Sequence, residues 1–161
     1  MSAIGSYEVL TRDGFAACLD AARNVHPETT GKWIFKTTRE QGREAFDAAW
    51  AAARVEALDF EYSGYVLGNY LDAQLAINNL RLFDDESEPA LALAHVFTAA
   101  FVFDTPRTLP ELPAEKLEAF CREEYNEDGQ DLIEPFRAAH AFYAEGIAAI
   151  TAANLVVFVI R

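Results

Sequence analysis

Hydrophobic and polar positions in the first third of the chain begin with a strand followed by a helix. Residues 7–10 form a short apolar run typical of a strand. Thr11 is suited to cap a helix, and apolar positions then recur at helical spacing up to Val25. Residues 24–31 contain a proline and predict a loop, and residues 32–36 predict a second short strand.

The second helix has the clearest pattern in the sequence. Thr37, Thr38, Arg39 and Glu40 fit a capping box, in which Thr37 and Glu40 each bond the other's backbone amide. Beyond them, apolar residues every three or four positions form one stripe, and charged residues occupy the opposite side. We therefore predict a helix over residues 38–57.

The period of the pattern then changes from helical to alternating. Apolar and polar side chains alternate over residues 58–63 and again over residues 70–77, with Gly68 and Asn69 between the two runs. Glycine and asparagine tolerate the positive φ of a tight turn, so a β-hairpin is the favoured interpretation. A helix through residues 66–80 fits the spacing almost as well, and this alternative stays open.

The remainder of the chain predicts further helices and a terminal strand. Ser87, at the end of an acidic loop, is suited to start a helix, whereas residues 96–103 are aromatic and β-branched and favour a buried strand. Residues 105–113 contain three prolines and predict an extended connection. Helices are predicted from residue 113 or 114 to before Asn126 and over residues 131–152, and a buried strand over residues 155–160.

The order of these elements favours an α+β fold. The strands cluster and do not alternate strictly with the helices, which favours a largely antiparallel sheet packed against four or so helices. With 161 residues, 52% of them hydrophobic, the chain is long enough to bury its own core. We therefore expect residues 1–161 to form a single domain.

Neither the N-terminus nor the apolar runs predict membrane insertion. The first residues show no basic segment followed by an apolar run, so we expect no signal peptide. The apolar runs 91–103 and 146–160 are shorter than the roughly 20 residues of a spanning helix. Cys18 and Cys121 lie at helical spacing among apolar residues and are expected to be small buried side chains. These features favour a soluble, cytoplasmic protein.

Negative charge is concentrated in the last two thirds of the sequence. Residues 1–56 contain seven Lys/Arg and eight Asp/Glu, whereas residues 57–161 contain six and eighteen, and the formal net charge is −13. This acidity disfavours binding to nucleic acid or to an anionic membrane, because both require basic patches. It suits a basic protein partner or simple solubility.

The sequence carries no motif of a known catalytic or cofactor chemistry, and we expect no cofactor. It lacks G-x-S-x-G, G-x-G-x-x-G and G-x-x-x-x-G-K-[ST]. His26 is expected in an exposed loop, whereas His95 and His140 lie in apolar contexts and are expected to be buried. If these two histidines converged with Asp104 or Glu145, the group would form an acid–base site.

An acidic loop at residues 124–131 has part of the ligand spacing of a calcium loop. With Gly129 at its sixth position, oxygen ligands fall on Glu124, Asn126 and Asp128, but the twelfth position falls on Pro135. Proline has no side-chain ligand, so we expect a solvated loop between helices and no metal site.

The favoured function is that of a non-enzymatic acidic binding protein, an inhibitor or immunity-type protein that neutralises a basic protein partner. Clustered carboxylates steer the approach of a cationic protein and raise its association rate. Two alternatives stay open: a small enzyme or ligand-binding domain with a dispersed His/carboxylate site, and an oligomer that extends its sheet through residues 155–160. The residues expected to bind the partner are Asp84, Asp85, Glu86, Glu88, Glu123, Glu124, Glu127, Asp128 and Asp131, together with Tyr65 and Tyr70.

Overall fold

A central antiparallel sheet with helices on both of its faces forms the fold. The computed structural model describes residues 5–30, 37–60, 87–106, 108, 113, 115–126 and 129–161. In chain order the elements are β1 (Gly5–Thr11), α1 (Arg12–Ala22), β2 (His26–Thr30), β3 (Thr37–Gln41), α2 (Arg43–Ala53), β4 (Arg54–Phe60), α3 (Glu88–Leu93), β5 (Ala99–Phe103), α4 (Glu115–Phe120), a π turn (Cys121–Tyr125), a 3-10 turn (Gln130–Leu132), α5 (Ile133–Ala148) and β6 (Asn154–Ile160). This combination confirms the predicted α+β fold.

The main sheet has the strand order β4–β1–β6–β5, and every neighbouring pair is antiparallel. β6 lies inside the sheet although it is last in sequence, with β1 on one side and β5 on the other. The predicted strand over residues 155–160 is thereby confirmed, and all of these residues are buried. Because both edges of β6 are hydrogen-bonded, it has no free edge with which to extend the sheet into a second subunit.

Alternation along the strands gives the sheet two buried faces. On one, which we call the α1–α2 face, Leu10 and Val157 pack against α1, α2 and α3. On the other, the α4–α5 face, Val9, Val156 and Phe158 pack against α4 and α5. Since helices cover both faces, residues on either side of each central strand are buried.

The two long helices of the α1–α2 face begin in different ways. Thr11 caps α1 as predicted, its Oγ1 accepting a hydrogen bond from the Gly14 amide at 3.3 Å. α2 begins at Arg43, because Gly42 takes a left-handed conformation at φ 84° that turns the chain into the helix. A side chain on Gly42 would place Cβ 2.5 Å from the Asn24 carbonyl oxygen, so this turn requires glycine.

The segment between α1 and α2 corrects two predictions. Residues 24–31, predicted as a loop, contain β2, and the four residues assigned to a capping box belong to β3. β2 and β3 pair antiparallel, from His26 opposite Gln41 to Thr30 opposite Thr37. The backbone amides and carbonyls of these residues form their hydrogen bonds across the strand pair and not within the first turn of a helix. The helix therefore starts later than predicted.

The end of α2 also differs from the prediction. The sequence predicted a helix up to residue 57, but α2 ends at Ala53, and residues 54–60 form β4. Pairing with β1 supplies the backbone of residues 54–57 with hydrogen-bond partners that outweigh the helix propensity of their side chains. Residues 58–60, the start of the predicted alternation, are the end of this strand, whereas residues 61–63, the second alternation at 70–77 and the alternative helix at 66–80 lie outside the described residues.

In the last third of the chain most predicted elements are present. Ser87 caps α3, its Oγ accepting from the Ala90 amide at 3.3 Å, and β5 follows, so residues 87–103 contain both a helix and a strand. The π turn ends at Tyr125, before Asn126 (φ 53°), as was predicted for the helix, and α5 ends at Ala148, four residues earlier than predicted. The strand at residues 32–36, the turn at residues 68–69 and most of the 105–113 connection lie outside the described residues.

Cys18 and Cys121 are free and buried, as predicted, and lie on opposite faces of the sheet. Burial raises the pKa of the Tyr7 hydroxyl above its usual value. Across the described part of the chain, no helix combines the length and apolar character that crossing a bilayer requires.

Candidate functional site

A buried carboxylate lies at the centre of the α1–α2 face. Strand alternation places Ser6, Glu8 and Leu10 on this face, and Glu8 is 0% exposed. Glu8 Oε1 accepts hydrogen bonds from Arg161 Nη2 at 2.6 Å and Ser6 Oγ at 3.1 Å, and Oε2 accepts one from Trp50 Nε1 at 2.6 Å. Each carboxylate oxygen therefore has a donor, which offsets the cost of removing the charge from water.

The charge of Glu8 also acts on its neighbours. Burial raises the pKa of the Cys18 thiol to about 11, and the negative charge of Glu8 adds to the rise. Arg161 directly follows β6, where alternation sends its side chain to the same face as Glu8, and the guanidinium is one-third exposed. The ion pair therefore joins a buried carboxylate to a cation at the surface.

A β-bulge in β4 separates two neighbouring sites. Val9 of β1 pairs with Glu56, yet the next residue, Leu10, pairs with Arg54, so that Val55 is left between the two pairs. The extra residue sends Arg54 to the α1–α2 face and Glu56 to the α4–α5 face. At this edge of the sheet, a cation therefore lies on one face and a carboxylate on the other.

On the α1–α2 face, a cavity of about 200 Å³ lies beside the Glu8 network. We call it the arginine pocket. Three arginines line it, Arg43, Arg54 and Arg161, and so do three aromatic rings, Phe46, Trp50 and Phe97. The rings pack on one another, with the Trp50 and Phe97 centroids 5.0 Å apart, and form an apolar wall of the cavity.

The three arginines differ in the hydrogen bonds and ion pairs that they make with neighbouring residues. Arg43 bonds Asp47 at 3.0 Å, Glu40 at 3.3 Å and the Val96 carbonyl at 3.3 Å. The Arg161 guanidinium bonds Glu8 and lies 5.7 Å from the Phe97 ring centroid.

Arg54 has a weaker partner, because its Nη1 lies 3.9 Å from Glu8 Oε2, beyond hydrogen-bond distance. It is 42% exposed and makes no other contact of this kind with the described residues. Its donors are therefore the ones that a ligand in the arginine pocket would meet.

On the α4–α5 face, the bulge borders a second cavity, of about 340 Å³. We call it the acidic pocket. Glu56 of β4 and Glu145 of α5 line it and are exposed, and the side chains of Val9 and Phe142 provide apolar surface. Gly146 lets α5 lie close to the sheet here, since an added Cβ would come within 3.3 Å of a valine side chain of β6.

The described residues of the two helical layers carry similar net charges. Residues 12–30, 37–53 and 87–93, which contain α1, α2 and α3, have four Lys/Arg and seven Asp/Glu, a formal net charge of −3. Residues 115–126 and 129–148, which contain α4 and α5, have three and seven, a net of −4. Both layers are therefore acidic, and the acidic pocket lies on the slightly more negative one.

The residues predicted to bind a basic partner are only partly described. Glu123 and Glu124 in the π turn and Asp131 in the 3-10 turn are exposed within the helical layer of the α4–α5 face. Glu88 in α3 is exposed but lies on the α1–α2 face, where it bonds Arg23. Seven further predicted residues lie outside the described part of the chain: Asp84, Asp85, Glu86, Glu127, Asp128, Tyr65 and Tyr70.

Two pairs of the residues proposed for a dispersed catalytic site lie apart in the fold. His95 precedes β5 and Asp104 follows it, so a strand of about 16 Å separates them. His140 and Glu145 are five positions apart on α5, which places them about 140° apart around the helix. His95 is exposed, contrary to the expectation of a buried side chain, whereas His140 is half-buried against Phe136.

The arginine pocket was not predicted from the sequence. Its cations come from α2, β4 and the residue after β6, and no spacing rule connects positions 43, 54 and 161. The signal that was present is Glu8 itself, a carboxylate inside the apolar run 7–10. Such a residue is found either on a solvated face or in a buried ion pair. Here helices cover both faces of the sheet, so Glu8 is buried.

His26 is exposed, as expected, although it lies in β2. Within the described ranges, no group of three or more His, Cys, Asp or Glu side chains is placed to hold a metal ion. No known protein family matches the sequence, and no curated protein or solved structure matches it at a significant level.

Proposed function

We propose that this chain is a non-enzymatic acidic binding protein, of the inhibitor or immunity type, that neutralises a basic protein partner in the cytoplasm. The observation that carries the proposal is the acidic pocket, which lies on the slightly more negative helical layer. Two free cysteines support a reducing compartment.

The acidic pocket suits a lysine or arginine side chain of the partner. Such a side chain has an apolar stem and a charged head, and each part finds its complement here. The stem would pack on Val9 and Phe142, and the head would lie between the carboxylates of Glu56 and Glu145. Both carboxylates are exposed and hydrated before binding, so the ion pairs and hydrogen bonds with the partner's cation have to offset the water that the contact removes from them.

The acidic layer around the pocket supports fast association. A net charge of −4 over the described residues of this layer attracts a cationic surface before contact, which raises the association rate more than the final affinity. Exposed charges are screened by salt, so this contribution weakens as ionic strength rises above about 0.1 M.

The test is capture from native lysate with matched variants. Immobilised wild type is expected to retain a basic protein at about 50 mM salt and to release it at about 500 mM. The double variant Glu56→Gln/Glu145→Gln removes both carboxylates of the acidic pocket at constant size, and we expect it to lose most of that protein. Glu44→Gln removes an exposed carboxylate from α2 on the opposite face of the sheet and is the control expected to behave as wild type.

Two results would contradict the proposal. One is that wild type retains no basic protein at low salt. The other is that the double variant retains the same protein in the same amount as Glu44→Gln, because the acidic pocket would then contribute nothing to recognition.

A further inference from the structure

We propose that the arginine pocket is a binding site for a small organic oxyanion, a carboxylate or phosphate monoester attached to an apolar group, with Arg54 as its main ligand. This site lies on the opposite face of the sheet from the acidic pocket and is independent of the proposed partner. Three arginines around one cavity are notable in a chain whose formal net charge is −13.

The charges around the cavity leave one cation for a ligand. Arg161 is paired with Glu8 at 2.6 Å, and Arg43 is paired with Asp47 and Glu40. Among the described residues, the 3.9 Å contact to Glu8 is the one ion pair of Arg54, so its planar fork of donors is available for two parallel hydrogen bonds to an oxyanion.

The Glu8 network prepares Arg54 for this role. The Glu8 carboxylate is already bonded by Ser6, Trp50 and Arg161, and its residual attraction holds Arg54 near the cavity without saturating its donors. The bulge at Val55 fixes the side of the sheet to which Arg54 points. Glu8 and the bulge therefore keep Arg54 on the cavity side of the sheet before binding, which limits the conformations that a ligand has to order.

The size and the wall of the cavity define the rest of the ligand. A volume of about 200 Å³ corresponds to roughly seven water molecules and lies below the range of drug-sized pockets. Trp50 and Phe97 are fixed by their packing and present apolar surface to the cavity. A small planar or apolar group bearing a single anionic head fits this combination, and a polyanion does not, because Asp47 also lines the cavity.

The experiment uses the Trp50 indole N–H as a reporter, since this group donates to Glu8 and its ring lines the cavity. Benzoate and phenyl phosphate are titrated at low salt while the indole resonance is followed by NMR, and benzamide serves as the uncharged match of benzoate. We expect saturable shifts with at least one anion, with a Kd between about 10 μM and 1 mM, and none with benzamide. Inorganic phosphate alone is expected to bind more weakly, because it lacks the apolar group.

Three variants assign the binding to Arg54. Arg54→Gln is expected to raise Kd at least about tenfold, and Arg54→Lys to raise it less, because lysine keeps the charge but not the fork. Arg23→Gln is the control expected to bind as wild type, since Arg23 is equally exposed (43%) but lies away from the cavity. An amide NMR spectrum of each variant establishes that it is folded.

The proposal is overturned if neither anion gives a saturable shift up to about 10 mM. It is also overturned if benzamide binds as well as benzoate, or if folded Arg54→Gln binds as tightly as Arg23→Gln. None of these outcomes bears on the capture experiment, which reports on the opposite face.

Discussion

The hydrogen bond between Trp50 and Glu8 should be a large single contribution to stability, and Trp50→Phe tests it. The substitution keeps an aromatic ring in the core but removes the Nε1 donor, which lies 2.6 Å from a carboxylate oxygen that is 0% exposed. A hydrogen bond to a charged group contributes about 1.5–3 kcal/mol. The smaller ring forfeits about 1 kcal/mol of burial in addition.

We therefore expect Trp50→Phe to lower the free energy of unfolding by about 3 kcal/mol. For a chain of this length this corresponds to a fall in Tm of roughly 9 °C. Urea unfolding followed by far-UV circular dichroism measures the change, because that signal does not depend on tryptophan.

A double-mutant cycle separates the hydrogen bond from the loss of ring surface. Glu8→Met replaces the carboxylate by an apolar side chain of similar length, so that Trp50 no longer has an anionic acceptor. In that background Trp50→Phe should cost about 2 kcal/mol less than in wild type. A coupling energy below about 0.5 kcal/mol would refute the network as the reason why the buried carboxylate is tolerated.

Three further predictions follow from the local geometry. Gly42→Ala should lower the free energy of unfolding by at least about 1 kcal/mol in urea denaturation, because φ is 84° and the added Cβ meets the Asn24 carbonyl oxygen; a neutral change would contradict this turn. Ser87→Ala should cost about 1 kcal/mol through the lost cap of α3, measured in the same way, and unchanged stability would argue against that cap. Cys18 should react with a thiol reagent at pH 8 only as fast as the protein unfolds. The pKa of the Cys18 thiol is about 11 in the folded chain and 9.0 ordinarily, so its contribution to stability is complete below pH 9 and is lost as pH rises towards 11. Cys18→Ala should flatten this fall in the free energy of unfolding, and an unchanged pH profile of stability would contradict the raised pKa.

Local patterns predicted the elements whose partners are close in sequence. Thr11 and Ser87 each cap the helix that directly follows, so side-chain chemistry within four residues decides where α1 and α3 begin. The apolar run at residues 155–160 was also sufficient to predict β6, because a β-branched segment of that length is stable only when buried.

Predictions failed where another strand supplies the hydrogen-bond partners. Thr37–Gln41 has the spacing of a capping box, but it pairs with β2, the strand just before it in sequence. Residues 54–57 have good helix propensity, but they pair with β1, which lies more than forty positions earlier. In both cases cross-strand pairing outweighs the local pattern of the segment.

The candidate sites show the same limit. Glu145 was singled out from the sequence, but Glu56 was not. The two residues line one cavity because α5 packs near the start of β4. The face to which Arg54 points depends on one extra residue in a strand, which a sequence pattern does not distinguish from the end of the preceding helix. Charge asymmetry along the chain was visible in the sequence, but the described residues of the two helical layers are both acidic.

The most direct test of the proposed function is the association rate of the captured basic protein with the chain, measured as a function of salt. We expect the wild-type rate constant to fall at least about tenfold between 50 and 500 mM salt, and the Glu56→Gln/Glu145→Gln variant to associate more slowly than Glu44→Gln at low salt. A rate that is independent of salt, or equal for the two variants, would contradict a docking role for the acidic pocket.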